Sequence, residues 1–310
     1  MQVKKRMDDL VEKFREEFIS TDWTALDSTL NDEARAEWNS IYASLRSYSQ
    51  MQGRVIGIEQ IDIGQENVEE ETHAEGASEN HGLLCLTVTP YRVKIIIPEP
   101  LIWFPGEDRS SFVLQSMVGA QIEFVIIAID RRSSFAIGSR IEALNHLRWL
   151  AHSVDKIKVG DLVPCQVLAV GPTKVTVTAC GYDRTLRASE MSYSYLGDMR
   201  DCYSPGQTLQ ARVLAIDENH FTISVKAAEP DPFIGAEFRH PIGAIRLATV
   251  ISKYKGGIFC RLPDGCTAIC RYARQFTDDQ FHINDTVSIQ ITSYSSDREW
   301  LRGKIRGKIG

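Results

Sequence analysis

The chain has 310 residues, of which 43% are hydrophobic and 25% charged, and a formal net charge of −6. That length allows two or three domains of an ordinary soluble globular protein. No stretch approaches the apolar length of a membrane span, the start MQVKKRMDDLVEKF lacks the apolar core of a secretory signal, and the acidity argues against an indiscriminate nucleic-acid binder.

The charge is unevenly spread. From residue 235 to 310 there are twelve Lys and Arg against seven Asp and Glu, a balance of +5 that leaves −11 for the rest. If nucleic acid is bound, the C-terminal third is therefore where its surface is expected. The seven cysteines are odd in number and without paired spacing, which fits reduced thiols in a cytoplasmic protein. Cys266 and Cys270 are four apart, but no second ligand pair follows, so strand cysteines are expected rather than zinc.

In chain order, residues 1–50 form a helical segment. Leu10, Phe14 and Phe18 recur at helical spacing, as do Trp38, Ile41 and Leu45, and Asn31 begins a cap for the second helix. Two readings stay open here: a docking hairpin for a partner, or a cap packed on the first barrel. Residues 51–140 make a first β unit. It carries an insertion over 61–81, acidic and too poor in apolar residues to order itself. The segment from Pro98 to Val118, with Trp103 and Phe104, is expected to cap one barrel end. Residues 141–154 read as a connecting helix, 155–229 as a second β unit and 235–310 as a third, basic one.

One phrase recurs in all three units: GAQIEFVIIAIDRRSSFAIGSR from Gly119, GQTLQARVLAIDENHFTISVK from Gly206, and a worn copy, NDTVSIQITSYSSDREWLRGK, from Asn284. Each alternates apolar and other residues, breaks at a polar turn, and alternates again, the pattern of a β-hairpin. In the worn copy Ser295 replaces the aspartate and Trp300 the Phe. Three copies of a hairpin imply three copies of one all-β unit. Five short strands per unit suit a five-stranded OB-fold barrel, so the predicted fold class is mainly β, three tandem barrels after a helical segment.

The second unit resembles the S-one domain, the RNA-binding OB-fold repeat named after the large ribosomal protein of the small subunit. The shared signs are an opening Val-Gly-Asp at Val159, Ser189-Glu190 after the third strand, Pro205-Gly206 before the fourth, and the closing Ile-Ser-Val-Lys that ends at Lys226. The third unit resembles it through ATVISKYKGGIFCRLPDGCTAICRYAR. The first is more diverged and has Ile97-Pro98-Glu99 where the family often has Ile-Ser-Glu. The resemblance implies that one barrel face binds single-stranded RNA, through an aromatic before strand two, an aromatic on strand two and a His or Arg on strand three. Aromatic rings stack on any base, and nearby cations hold phosphate.

Carried onto this chain, the family pattern places Tyr254 in the turn, Phe259 on strand two and Arg271 on strand three of the third unit. Alternation supports it: Ile258, Cys260 and Leu262 share one face, leaving Phe259 and Arg261 on the other. Lys253, Lys255 and Arg274 surround them. In the second unit Thr176 and Thr178 take the outward places of strand two, so the stacking aromatic is missing; Lys174, Arg184 and Arg187 remain for phosphate contact. In the first unit Cys85 takes the aromatic position, with Arg92, Lys94 and Ile96 facing outward, and a structural or protein-contacting barrel is expected.

The chain has no phosphate-cradling Gly-Lys-Ser/Thr loop, no His-Glu-x-x-His and no Gly-x-Ser-x-Gly. His146 and His152 make a poor metal spacing, and Asp130 and Asp217 precede turns. The reading is a non-enzymatic, cytoplasmic protein without cofactors that binds single-stranded RNA, of messenger or ribosomal context, mainly on its third barrel. A protein partner would dock on the N-terminal helices or the first barrel. A protein–protein adaptor built of degenerate barrels and a single-stranded DNA binder remain as alternatives.

Overall fold

The computed structural model describes residues 12, 30–61, 83–104, 111–217, 220–295 and 300–309. The expected helix around Leu10, Phe14 and Phe18 and nearly all of the acidic insertion lie outside them. Strands β1 (Met51–Ile61), β2 (Leu83–Thr89), β3 (Lys94–Pro98), β4 (Gln121–Asp130) and β5 (Phe135–Ser139) close a barrel in the order β1-β2-β3-β5-β4. In the second unit, β6 (Leu162–Val170), β7 (Lys174–Ala179), β8 (Tyr182–Arg187), β9 (Thr208–Ile216) and β10 (Phe221–Ser224) form a sheet in the order β10-β9-β6-β7-β8. The third unit, β11 (Ile245–Tyr254), β12 (Gly257–Arg261), β13 (Thr267–Arg271), β14 (Thr286–Ser295) and β15 (Trp300–Ile309), closes as the first does.

The recurrent phrase is one structural device used three times. It folds into the hairpins β4–β5, β9–β10 and β14–β15. Its first residue is Gly119, Gly206 or Asn284, and all three have positive φ, a conformation open to glycine and tolerated by asparagine. The amide of each donates to a first-strand valine carbonyl (Val55, Val167, Val250) at 2.8 Å. Each of those strands has an irregularity just beyond that valine, which bends it around the barrel. Asp130 and Asp217 cap the turns: Asp130 Oδ1 accepts from the amides of Arg132 and Ser133, and Asp217 Oδ1 from that of His220.

The middle sheet differs from the expected closed barrel. The outer barrels close by parallel pairing of β3 with β5 and of β13 with β15. Among the described residues no such ladder joins β8 to β10. β10 is only four residues long, and Arg184 on β8 spans the seam by donating its Nε to the Phe221 carbonyl. One of the expected phosphate contacts is thereby engaged in holding the sheet together.

Helix α1 (Asp32–Ser47) is capped by Asn31, whose side chain accepts from the Ala34 amide at 2.8 Å. Trp38 and Ile41 are buried and Leu45 packs beside them, while Ser44 Oγ accepts from the β4 amide of Ile126 at 2.9 Å. This helix caps the first barrel. Residues 98–104 and 111–118 do so too, burying Ile102, Trp103, Leu114 and Met117.

The first two units are mortised together. Helix α3 (Arg140–Trp149), which follows the five-residue α2 (Ser111–Gln115), lies between them. Arg140 makes a two-pronged ion pair with Asp183, both bonds 2.7 Å, with the two side chains 1% and 2% exposed. Arg148 sits over the rings of Phe104 and Tyr182 and donates to the Gly181 carbonyl at 2.9 Å. Leu168 and Ala169 of β6 join the first core. Gly206 abuts Gly119, and a Cβ on Gly206 would collide with the Gly119 carbonyl.

All seven cysteines are free thiols. Burial pushes the Cys85 thiol up to about 12 and those of Cys165, Cys180 and Cys266 to about 11. Only Cys202 is exposed. Thiol titration of the native protein at pH 8 is therefore expected to show one fast group, lost in Cys202→Ser, with the others reacting on unfolding. More than one fast thiol would contradict this burial.

Candidate nucleic-acid interface

Alternation along β12 does what the pattern GIFCRL requires. Ile258, Cys260 and Leu262 are buried in the third core, Phe259 stands half-buried on the outer face, and Arg261 is exposed beside it. Tyr254 ends β11 and pairs with Gly257. Its ring lies over that residue: a Cβ at Gly257 would strike the Tyr254 ring and the Cys270 carbonyl, so glycine makes room for the aromatic. Tyr254 and Phe259 meet at a ring separation of 5.2 Å, tilted by 59°. Burial raises the Tyr254 phenol above its ordinary range, so the ring stays neutral.

Two further aromatics complete the platform, and neither was singled out from sequence as a contact. Trp300, at the start of β15, lies 6.3 Å from Phe259. Tyr195, from the second unit, stacks on Phe259 at 4.9 Å with an interplanar angle of 8°. The Trp300 position was legible as the counterpart of Phe135 and Phe221 in the repeat. Tyr195 had no local signal, because its partner is 64 positions away in the chain.

The cations sort into two groups. Lys255, Arg261, Arg271 and Arg274 are exposed and, among the described residues, outside every ion pair. Lys253 is tied down instead, bonded to Asp278 at 2.8 Å. That ion pair holds the Asp278 carboxyl below its ordinary range, helped by the Tyr272 hydroxyl at 2.6 Å. The structure adds Arg302 and Lys304 of β15, both exposed. They stand opposite Ile269 and Arg271 of β13, so that Arg302 shares a register row with Phe259, which pairs with Ile269. Their signal was the alternation in WLRGKIRGK.

The equivalent faces of the other units lack this arrangement. Thr176 and Thr178 of β7 are buried rather than open to solvent, and Thr176 hydrogen-bonds Thr185 at 3.2 Å. Lys174 and Arg187 are exposed at opposite strand ends, paired in register. In the first unit Ile96 does not face solvent. It is buried with Leu83, Cys85, Ala128 and Ile137 in a second small core on the outer face, as continuous β-branched runs favour sheets covered on both sides. Arg92 and Lys94 are paired with Glu33 and Glu59.

Cys266 does not team with Cys270, which is buried in the third core near Cys260. Its Sγ donates to the Pro232 carbonyl at 2.9 Å and lies near His240 and Asp264. Asp264 Oδ2 already meets His240 Nε2 at 2.7 Å and Arg239 Nε at 2.8 Å. Burial works to raise the Asp264 carboxyl, but these hydrogen bonds outweigh it and hold the group at about 2. A guanidinium on the same carboxylate oxygen opposes a bound cation there.

No family model matches the chain. It is 22% identical over 192 residues to small ribosomal subunit protein bS1 of Pseudomonas aeruginosa, covering 58% of this chain and 34% of that protein. With the bS1 of Staphylococcus saprophyticus it is 23% identical over 163 residues, 51% and 40% of the two chains. It is also 22% identical over 225 residues to 4-hydroxy-3-methylbut-2-enyl diphosphate reductase of Clostridium acetobutylicum, 69% of this chain and 35% of that enzyme. The chain thus spans between a third and two-fifths of the length of these relatives. Among solved structures, a multidomain protein with nucleic acid binding domains from Streptococcus pneumoniae covers 84% of this chain at 10% identity, with a TM-score of 0.20. No helix among the described residues is long and apolar enough to cross a membrane. The thrice-used five-stranded unit and the similarity to the ribosomal proteins agree: the chain is a distant homologue of the bS1 proteins, built of tandem S-one-type OB folds.

Proposed function

We propose that this chain binds single-stranded RNA without catalysing a reaction, and that the outer face of the third barrel carries the binding. The observation that supports it most is the gathering of Tyr254, Phe259 and Trp300 on a face edged by Arg261, Arg271, Arg302 and Lys304. Stacked rings take any base, at about 1–3 kcal/mol each, and the cations take phosphate. Lys255 and Arg274 add positive charge beside the platform, while Lys253 is held by Asp278 and Arg184 serves mainly to brace the middle sheet. Lys174 and Arg187 extend the charge onto the second unit. The bS1 relatives are ribosomal proteins, which makes ribosomal or messenger RNA the natural context.

The test is binding of a labelled single-stranded RNA, with an equal-length DNA beside it, by the whole chain across a salt series. Affinity is expected to fall linearly on logarithmic axes. The slope should be about −2 to −3.5, given roughly 0.7 for each of three to five phosphates engaged on a single strand. Absence of binding at low salt overturns the reading. The adaptor reading would then lead. Its support is the exposed apolar group near helix α5 (Ala236–Arg239, which follows the four-residue α4, Ala188–Met191), where Ile234, Phe238 and Ile242 are 73%, 85% and 63% exposed.

A further inference from the structure

Between the second and third barrels lies a cleft of about 280 Å³, lined by Ser192, Tyr193, Tyr195, Lys226, Phe259 and Thr267 among others. We infer that this cleft is a subsite for one base of the bound strand, and that Tyr195 is a stacking residue which the second barrel contributes to the third barrel's platform. The inference rests on the RNA-binding reading above and assigns a place beyond the face of a single barrel.

Four observations carry it. The Tyr195 ring lies parallel to Phe259 at 4.9 Å, yet the residue is 44% exposed. A tyrosine serving only to join the barrels would gain by burying both faces; this one stays partly exposed while lining the cleft. The cleft is polar where a base edge would need it. Thr267 Oγ1 is buried and, among the described residues, without a hydrogen-bond partner, so a base amino group or ring nitrogen would satisfy a group now costly to leave unmatched. Lys226 brings its ammonium to 4.3 Å from the Tyr193 ring, where a phosphate on the strand outside the cleft would meet it. The volume lies just under the roughly 300–1,000 Å³ range of small-ligand sites, enough for one nucleotide unit and too small for a run of them.

The geometry also sets a direction. Arg271 and Lys304 stand in one register row and Phe259 and Arg302 two rows along, the next row on the same face. A strand held by those cations and stacked on Phe259 continues over the ring edge onto Tyr195 and into the cleft. Sequence preference would then arise at this one position, from the Thr267 hydroxyl, on an otherwise sequence-tolerant surface.

The experiment compares the whole chain with Tyr195→Ala, Tyr195→Phe and Thr267→Val. The probe is a single-stranded RNA carrying one photoactivatable 4-thiouridine. Tyr195→Ala is expected to weaken binding roughly tenfold, the weight of about one stacked base, and Tyr195→Phe to bind as the parent does. Thr267→Val should compress the affinity differences among homopolymer RNAs. Cross-linked RNA is expected on the tryptic peptide Ala188–Arg200. Unchanged or tighter binding by Tyr195→Ala, with Phe259→Ala still impaired, would overturn the subsite and leave the platform standing. Cross-links confined to β12 and β15 would do the same. A parent chain that binds no RNA would remove the platform reading and the subsite together.

Discussion

Asp183→Ala is expected to destabilise the protein by about 3–5 kcal/mol, because it leaves the Arg140 guanidinium buried without its carboxylate. The pair is almost wholly shielded from water, and its two 2.7 Å bonds have matched, forked geometry. Among the described residues Arg140 then keeps the Ile102 carbonyl at 3.2 Å and the face of Trp103, and neither neutralises a charge. The double replacement Arg140→Met with Asp183→Leu should cost far less, since it removes both desolvation penalties at once. Chemical denaturation measures both, with the midpoint shift read at constant slope. A loss below about 1 kcal/mol in Asp183→Ala would mean that water reaches the junction, contrary to the burial seen. The pair joins the first two units, so RNA affinity should persist in folded Asp183→Ala protein if the third barrel carries the binding.

The second large effect is expected at Phe259. Phe259→Ala removes the ring against which Tyr195, Tyr254 and Trp300 are all set. The loss of about 1–3 kcal/mol for one stacked base corresponds to roughly 5- to 150-fold weaker RNA binding. The core beneath is formed by Ile258 and Cys260, so the barrel should remain folded, which circular dichroism checks. Phe259→Tyr should retain most of the affinity. Adding Tyr254→Ala should deepen the loss, although not additively, because the two rings touch. Undiminished binding by the double variant would leave only charge to explain RNA affinity and would withdraw the stacking mechanism.

Much of this was legible in the chain itself, for a local reason. Strand alternation has a period of two, so GIFCRL and WLRGKIRGK state which residues face inward without reference to any partner. The repeated phrase encodes a hairpin, and its leading Gly119, Gly206 and Asn284 supply the left-handed backbone that the turn into strand four requires. Phe259 and Arg261 could therefore be placed on one face from sequence, while Tyr254 and Arg271 were set beside them by the resemblance to the S-one family. What alternation cannot state is what covers a face. Ile96 and Thr176 stand outward by period, yet both are buried. Lys253 and Arg184 look like free cations until Asp278 and the Phe221 carbonyl are brought beside them.

The pairs that join the units lay further out of reach. Arg140 and Asp183 are 43 positions apart, and Tyr195 and Phe259 meet across two barrels. Side-chain periodicity fixes inside and outside within each unit, because it follows from backbone geometry alone. Which surfaces meet depends on how whole barrels pack, and that is settled by the summed burial and charge pairing of residues remote in sequence. The sequence by itself thus determined three hairpin-bearing β units and a basic, aromatic outer face on the last. Only the tertiary structure decided that the first two units share a buried ion pair, that a side chain rather than a strand ladder bridges β8 and β10 among the described residues, and that the second barrel lends a ring to the third.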